Sequence, residues 1–259
     1  MAFLEMNFRS HALNMNVPVN VILPELPSGS PVGGAPEGTY KTLYLLHGLG
    51  GNHSDWSRRT AIERYASDHG IAVVMPGVAR TWYTDTAYGA NYLTFITKEL
   101  PAICRSYFKG MTDKREDNLI GGLSMGGYGA IKACLTCPEQ YFACFSLSGA
   151  LDITRKGRNY SLPEWQSIFD FQMESALELE GSIHDIFALT RNNAQKAIPF
   201  PKLFLWCGTE DTLIHTNREY TDLLTQLGID HRWEESEGTH NWKYWDPRSQ
   251  DALNYIFDK

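Results

Sequence analysis

The chain has 259 residues, 43% of them apolar and 20% charged, enough to bury one substantial core and too apolar for disorder. A net charge of −7 without a concentrated run of Lys or Arg excludes a phosphate-tracking surface, so nucleic acid is not an expected partner. No apolar run approaches the ~18 residues of a bilayer span, the first residues lack a signal-peptide pattern, and five cysteines in apolar contexts suit a reducing compartment; a cytoplasmic protein without membrane association is expected.

Along the chain, Val17, Val19, Val21 and Leu23 alternate as in a strand that Pro24 ends, and the Gly/Pro/Ser-rich stretch 27–38 reads as a surface loop. Short apolar runs follow at 43–46, 71–75, 119–121, 144–147 and 203–207, the pattern of strands buried on both faces. A last strand at 231–234 is less apolar and belongs at an edge. Helical patterns alternate with these runs: 57–67, 92–107 (kinked or split by Pro101), 128–134, 216–227 ending at Gly228, and a last helix opened by Asp246-Pro247. The alternation predicts a mainly parallel central sheet with helices on both faces and antiparallel strands at one edge. The interval from Ser148 to Lys202 far exceeds an αβ loop of about 2–6 residues. Its amphipathic pieces, 162–171 and 182–190 (opening on a Ser-x-x-Asp capping box), predict a helical cap inserted at about 151–200 within a single domain, 1–259.

The chemistry concentrates in Gly122-Leu123-Ser124-Met125-Gly126-Gly127, which follows a strand and precedes a helix. A serine hydroxyl attacks well when a sharp turn projects it toward a base, and side chains two positions away would collide with neighbouring strands, hence the glycines. This is the nucleophile elbow of the α/β-hydrolase fold, and it makes Ser124 the candidate nucleophile. The helix start behind it offers the Met125 amide to a developing oxyanion. A second donor, the Leu49 amide, comes from His47-Gly48-Leu49-Gly50-Gly51 at the end of an earlier strand, with His47 supporting that loop. Chain order in this fold runs Ser, acid, His; of the eight histidines, His215, His231 and His240 fall late enough. His240 occupies the loop between the last strand and the last helix and is the expected base. The acid lies in Cys207-Gly208-Thr209-Glu210-Asp211, where local chemistry does not separate Glu210 from Asp211. No zinc spacing is present, and the lone Cys134-x-x-Cys137 pair reads as core packing, so neither metal nor cofactor is expected.

These motifs, together with Val-x-Val-x-Leu-Pro (19–24), Lys98-Glu99-Leu100-Pro101 and Gly238-x-His240-x-Trp242, resemble the esterase D-like group of α/β-hydrolases, most closely its bacterial tributyrin esterase branch. The resemblance covers nearly the whole chain. It implies a Ser124, Asp211, His240 triad, tipping the acid to Asp211, with Leu49 and Met125 forming the oxyanion hole. It further implies a carboxylesterase for short acyl (acetyl to butyryl) esters. Alternatives are a carbohydrate acetyl (xylan-type) or feruloyl esterase, or an acyltransferase on the same residues. A sister branch acting on S-formylglutathione carries Gly-Leu-Thr-Cys where this chain has Gly48-Leu49-Gly50-Gly51. A small-molecule or oligosaccharide ester substrate and a homo-oligomer are implied. Among the aromatics that could face the site (Trp56, Trp82, Trp165, Trp242), Trp242 is the leading pocket candidate; Asn91, Tyr92 and Trp56 are further substrate-binding candidates.

Overall fold

A computed structural model describes residues 1–27, 29–31, 33–87, 89–154, 162–169 and 179–259. The expected helix at 162–171 therefore runs past the described residues at its end, and part of the expected cap lies outside them.

Eight strands form one sheet: β1 (Ala2–Ser10), β2 (Met15–Leu23), β3 (Thr42–Leu46), β4 (Ala72–Pro76), β5 (Asn118–Leu123), β6 (Ala143–Leu147), β7 (Lys202–Gly208) and β8 (His231–Ser236). Their order is β1-β2-β4-β3-β5-β6-β7-β8. The pairs β1–β2 and β2–β4 are antiparallel and every other pair is parallel. The less apolar β8 is an edge strand, as its composition requires. At the other edge lies β1, which the sequence pattern did not separate from β2. The apolar runs of β3 to β6 are buried throughout. Their side chains alternate between two cores: Tyr44, Val74 and Ile120 point to one face, and Leu43, Val73, Leu119 and Phe145 to the other.

The helices are α1 (Asp55–Arg59), α2 (Ile62–His69), α3 (Leu100–Tyr107), α4 (Met125–Thr136), α5 (Leu162–Phe169), α6 (Ile186–Gln195), α7 (Ile214–Gln226) and α8 (Trp242–Ile256). Three boundaries differ from the sequence expectation, two of them because a distant partner overrides the local signal. The single helix expected at 57–67 is broken at Thr60, where the Asp246 carboxylate accepts from the Ala61 amide (2.9 Å) and the Tyr65 hydroxyl (3.0 Å). Asp246 is thereby unavailable to open α8, which is capped five residues earlier by Asn241, whose side chain accepts from the Lys243 amide. Pro247 then lies inside the helix, and burial of Trp245, Leu253 and Ile256 offsets its missing hydrogen bond. In α6 the N-cap is Asp185, accepting from the Ala188 amide at 3.0 Å, while Ser182 shapes the preceding turn. Before Pro101, the chain 92–107 remains helical but passes through a π turn at Phe95–Glu99, one turn ahead of the missing proline N–H.

Nearly the whole surface of α4 is buried, including Lys132. The Lys132 ammonium donates to Thr84 Oγ1 (2.7 Å) and lies 3.0 Å from His184 Nδ1. Burial, partly opposed by Asp85, pushes Lys132 down to about 7; burial and then the Lys132 charge push His184 down to about 3. Above pH ~7 the unfolded chain holds a proton on this lysine that the native chain has released. The contribution to stability therefore rises with pH up to the ordinary lysine value, by at most ~1.4 kcal/mol per pH unit. Lys132→Met is expected to flatten that slope, read by denaturant unfolding at pH 7 and pH 9.5. A wild-type-minus-variant difference equal at both pH values would refute it.

The order of β3, β4 and β5 has a functional consequence. The chain leaves β3 toward one side to form β4, then returns to place β5 on the other side of β3. Loops leaving the carboxyl ends of β3 and β5 thus diverge and open a crevice, the place where open α/β sheets bind ligands. The Gly-rich segment 48–51 and Ser124 both sit at that point. Among the described residues, no helix is long and apolar enough to cross a membrane.

Candidate active site

Ser124 stands between β5 and α4 with φ 53° and ψ −119°, a backbone conformation that costs energy for a non-glycine residue and is held by its surroundings. The Ser124 amide donates to the Leu147 carbonyl and its carbonyl accepts from Ala150 and Tyr128. The elbow glycines are required by contact. A Cβ on Gly122 would meet the Gly126 carbonyl carbon at 2.6 Å, and one on Gly126 would press on the carbonyl oxygens of Leu46 and His47. The strand end of β3 therefore fixes how tightly the elbow can bend, and this close approach aims the serine hydroxyl into the crevice.

His240 arrives from the β8–α8 loop. Its Nε2 lies 3.0 Å from Ser124 Oγ, and its Nδ1 lies 2.8 Å from Asp211 Oδ2. Asp211 follows β7 and its side chain is fully buried. Burial raises its pKa, but hydrogen bonds from His240, the Leu213 amide (2.9 Å) and Ser148 outweigh this and leave it below the ordinary carboxylate range. It stays ionised at neutral pH, as an acceptor for an imidazole N–H must. Glu210 points elsewhere. Its carboxylate accepts from the Gly238 amide (2.6 Å) and Thr209 Oγ1 (2.8 Å), which also hold its pKa down. Its geometry braces the loop leading to His240. The other late histidines do not line the cavity that holds the serine: His215 is exposed on α7, and His231 Nδ1 faces the Ile229 carbonyl.

His47 is buried and kept neutral by desolvation. Its Nε2 accepts from the Val78 amide (3.1 Å), so Nδ1 carries the proton and donates to the Gly48 carbonyl (2.7 Å). It thus braces the loop. The amides of Leu49 and Met125 make no hydrogen bond to any described residue. Cys207, beside Asp211, has its thiol pushed up to about 12, chiefly by burial, so it is a packing neighbour without nucleophilic character. Cys134 and Cys137 pack into or against the core.

A cavity of 480 Å³ opens over these groups and includes Ser124, His240, Leu49, Trp82, Trp242 and Trp245 in its lining. Trp242 lines it as expected. Trp56 is buried beneath, its ring 5.1 Å edge-on to Trp242 and its indole N–H bound to the Leu46 carbonyl, so it supports the wall without lining it. Asn91 and Tyr92 lie away from the cavity: the Asn91 amide donates to the Ala12 carbonyl and the Tyr92 hydroxyl faces Met15 at the β1–β2 end. Sequence reasoning passed over Trp245 and Ser148. The Trp245 ring lies edge-on to His240 (4.7 Å) and its N–H donates to Ser148 Oγ (3.0 Å). Helical spacing carried a usable signal for Trp245, which is at position i+3 from Trp242 on one face of α8. Ser148 carries no such mark, because only the adjacency of β6 and β7 brings it to Asp211.

A hydroxyl on a strained elbow at the switch point of a mainly parallel sheet, with an imidazole and a buried carboxylate in line, defines a serine hydrolase of the α/β-hydrolase fold. The family model described as "Putative esterase" matches residues 10–256, and the chain belongs to that esterase family; it is a carboxylesterase. It is similar to an acetyl esterase of Caldicellulosiruptor saccharolyticus, 33% identical over 99% of this chain and 98% of that protein. Among solved structures, FphF, the fluorophosphonate-binding serine hydrolase F of Staphylococcus aureus, superposes with a TM-score of 0.89 at 31% identity, covering 100% of this chain and 99% of that one. The S-formylglutathione hydrolase FrmB of the same organism superposes at 0.86 with 31% identity, covering 98% of each chain.

Proposed function

We propose that the chain hydrolyses short-chain acyl esters, acetyl to butyryl, through a Ser124–His240–Asp211 triad. The observation that carries this reading is the continuous relay from Ser124 Oγ to His240 Nε2 (3.0 Å) and from His240 Nδ1 to Asp211 Oδ2 (2.8 Å). Ser124 Oγ attacks the acyl carbon as His240 takes its proton. The carbonyl oxygen, now an oxyanion, receives the unpaired amides of Leu49 and Met125. As the intermediate collapses, His240 gives the proton to the departing alkoxide and an acyl-serine remains. Water, deprotonated by His240, attacks that ester; the second collapse returns the proton to Ser124 and releases the acid. Asp211 holds the imidazole in its Nδ1–H tautomer and stabilises the imidazolium between transfers.

The short acyl range is supported by the modest cavity, one wall of which is Trp82, buried against Trp165 (5.2 Å) and Tyr128 (5.9 Å). The acetyl esterase relative points the same way. This reading takes 1–259 as one α/β-hydrolase domain, with about 151–200 inserted as a cap. The Trp82–Trp165 contact supports it, as does the Tyr128 hydroxyl of α4 donating to the His184 carbonyl. The aromatic walls also suit a second reading, acetyl or feruloyl esters of carbohydrate. A panel of p-nitrophenyl esters from C2 to C10, run beside acetylated xylo-oligosaccharide and methyl ferulate, decides between them. The expected kcat/KM peaks at C2 to C4 and falls at least about tenfold by C8, since each extra methylene must find space in a cavity of 480 Å³. A maximum at C8 or beyond overturns the short-chain assignment.

A further inference from the structure

The charged groups on the wall of the cavity near its mouth, Arg59 and Asp55, play no part in the relay. Arg59 ends α1 with its side chain half exposed, and its guanidinium carbon lies over the Trp242 ring, 5.8 Å from the ring centroid. It makes no hydrogen bond to any described residue. Its nearest counter-charge, Asp55, is 3.9 Å from Nε, too far for a hydrogen bond and with one ion-pair contact where a bidentate fork would make two. A guanidinium over an aromatic ring in the wall of the cavity that holds Ser124, with its donors unused by any described residue, is placed to take an anion brought by the substrate.

The side of the ester it faces follows from the proton path. The departing alkoxide must take its proton from His240 Nε2, so the alcohol portion leaves along the His240 wall. That wall continues from His240 to Trp245 (4.7 Å), from Trp245 to Trp242 (5.4 Å), and from Trp242 to the Arg59 guanidinium. We propose that Arg59, seated on Trp242, is a specificity-determining residue that recognises a carboxylate on the alcohol portion of the ester. This rests on the triad reading above, because that reading fixes where the alcohol departs.

A matched pair of substrates tests it: 4-acetoxybenzoate, whose leaving group carries a carboxylate, and its neutral methyl ester. The readout is the ratio of their kcat/KM values, compared across variants so that intrinsic leaving-group reactivity cancels. Arg59→Ala is expected to lower the anion-to-neutral ratio about 5-fold relative to wild type, through KM more than kcat. Asp55→Asn, which removes the competing carboxylate, is expected to raise it. In wild type the ratio should fall with added NaCl, a measurement that needs no variant to fold. A ratio within twofold of wild type in Arg59→Ala, or one indifferent to salt in wild type, overturns the assignment. Failure of wild type to hydrolyse either ester would instead remove the triad reading beneath it.

Discussion

Ser124→Ala is expected to lower kcat/KM for p-nitrophenyl acetate by about 10⁴- to 10⁶-fold, the range in which loss of a serine nucleophile leaves only binding and oxyanion stabilisation. The substitution removes one oxygen and leaves the elbow intact. The backbone hydrogen bonds of Ser124 to Leu147, Tyr128 and Ala150 do not involve the hydroxyl, and alanine fits wherever serine does. Melting temperature should therefore move by no more than a few degrees, which separates loss of chemistry from loss of fold. A fluorophosphonate reagent should label wild type once, on the peptide containing Ser124, and leave the variant unlabelled. Retention of most hydrolysis by a folded Ser124→Ala protein would remove the nucleophile assignment and everything built on it.

Asp211→Asn should cost about 10³- to 10⁴-fold in kcat, against a few-fold for Glu210→Gln. The two carboxylates are adjacent in sequence and opposite in use. Asp211 is buried, receives the Leu213 amide on one oxygen and faces His240 Nδ1 with the other. An amide there can turn its NH2 toward the ring, favouring the tautomer that carries the proton on Nε2, where it cannot accept from Ser124. Glu210 holds the Gly238 amide on one oxygen and the Thr209 hydroxyl on the other; a glutamine keeps its oxygen on the Gly238 amide and can turn its NH2 to donate to the Thr209 oxygen. Side-by-side single-turnover rates with p-nitrophenyl acetate give the comparison, and a larger loss in Glu210→Gln would transfer the acid role to that residue.

Much of this arrangement is legible locally. Apolar runs too short for helices and apolar throughout announce strands buried on both faces, and the run at 118–123 followed by Gly-x-Ser-x-Gly announces a bend whose tightness only glycine permits. Most of the errors have a common cause. Asp246-Pro247 has the composition of a helix start, yet Asp246 is committed to the amide of Ala61 far away in sequence. Ser182 and Asp185 both have N-cap chemistry, and it is Asp185 that takes the Ala188 amide while Ser182 holds the turn before it. Asn91 and Tyr92 follow an aromatic loop that could have turned toward the crevice; instead it folds back on the β1–β2 hairpin.

By itself the sequence determined the element types, the bend at Ser124 and the short set of groups able to act as base and acid, because these depend on spacing within a turn or a strand. The tertiary structure alone decided which members of that set meet. Ser124 and His240 are 116 positions apart, and their 3.0 Å contact exists because β5 to β8 lie in order and parallel, so that their carboxyl ends open on one crevice. The same stacking chose Asp211 over its neighbour, set Trp245 against the imidazole and left Arg59 lying on Trp242 with its donors free. Strand order is fixed by which faces must be buried together, a property of the whole chain that no window of residues contains.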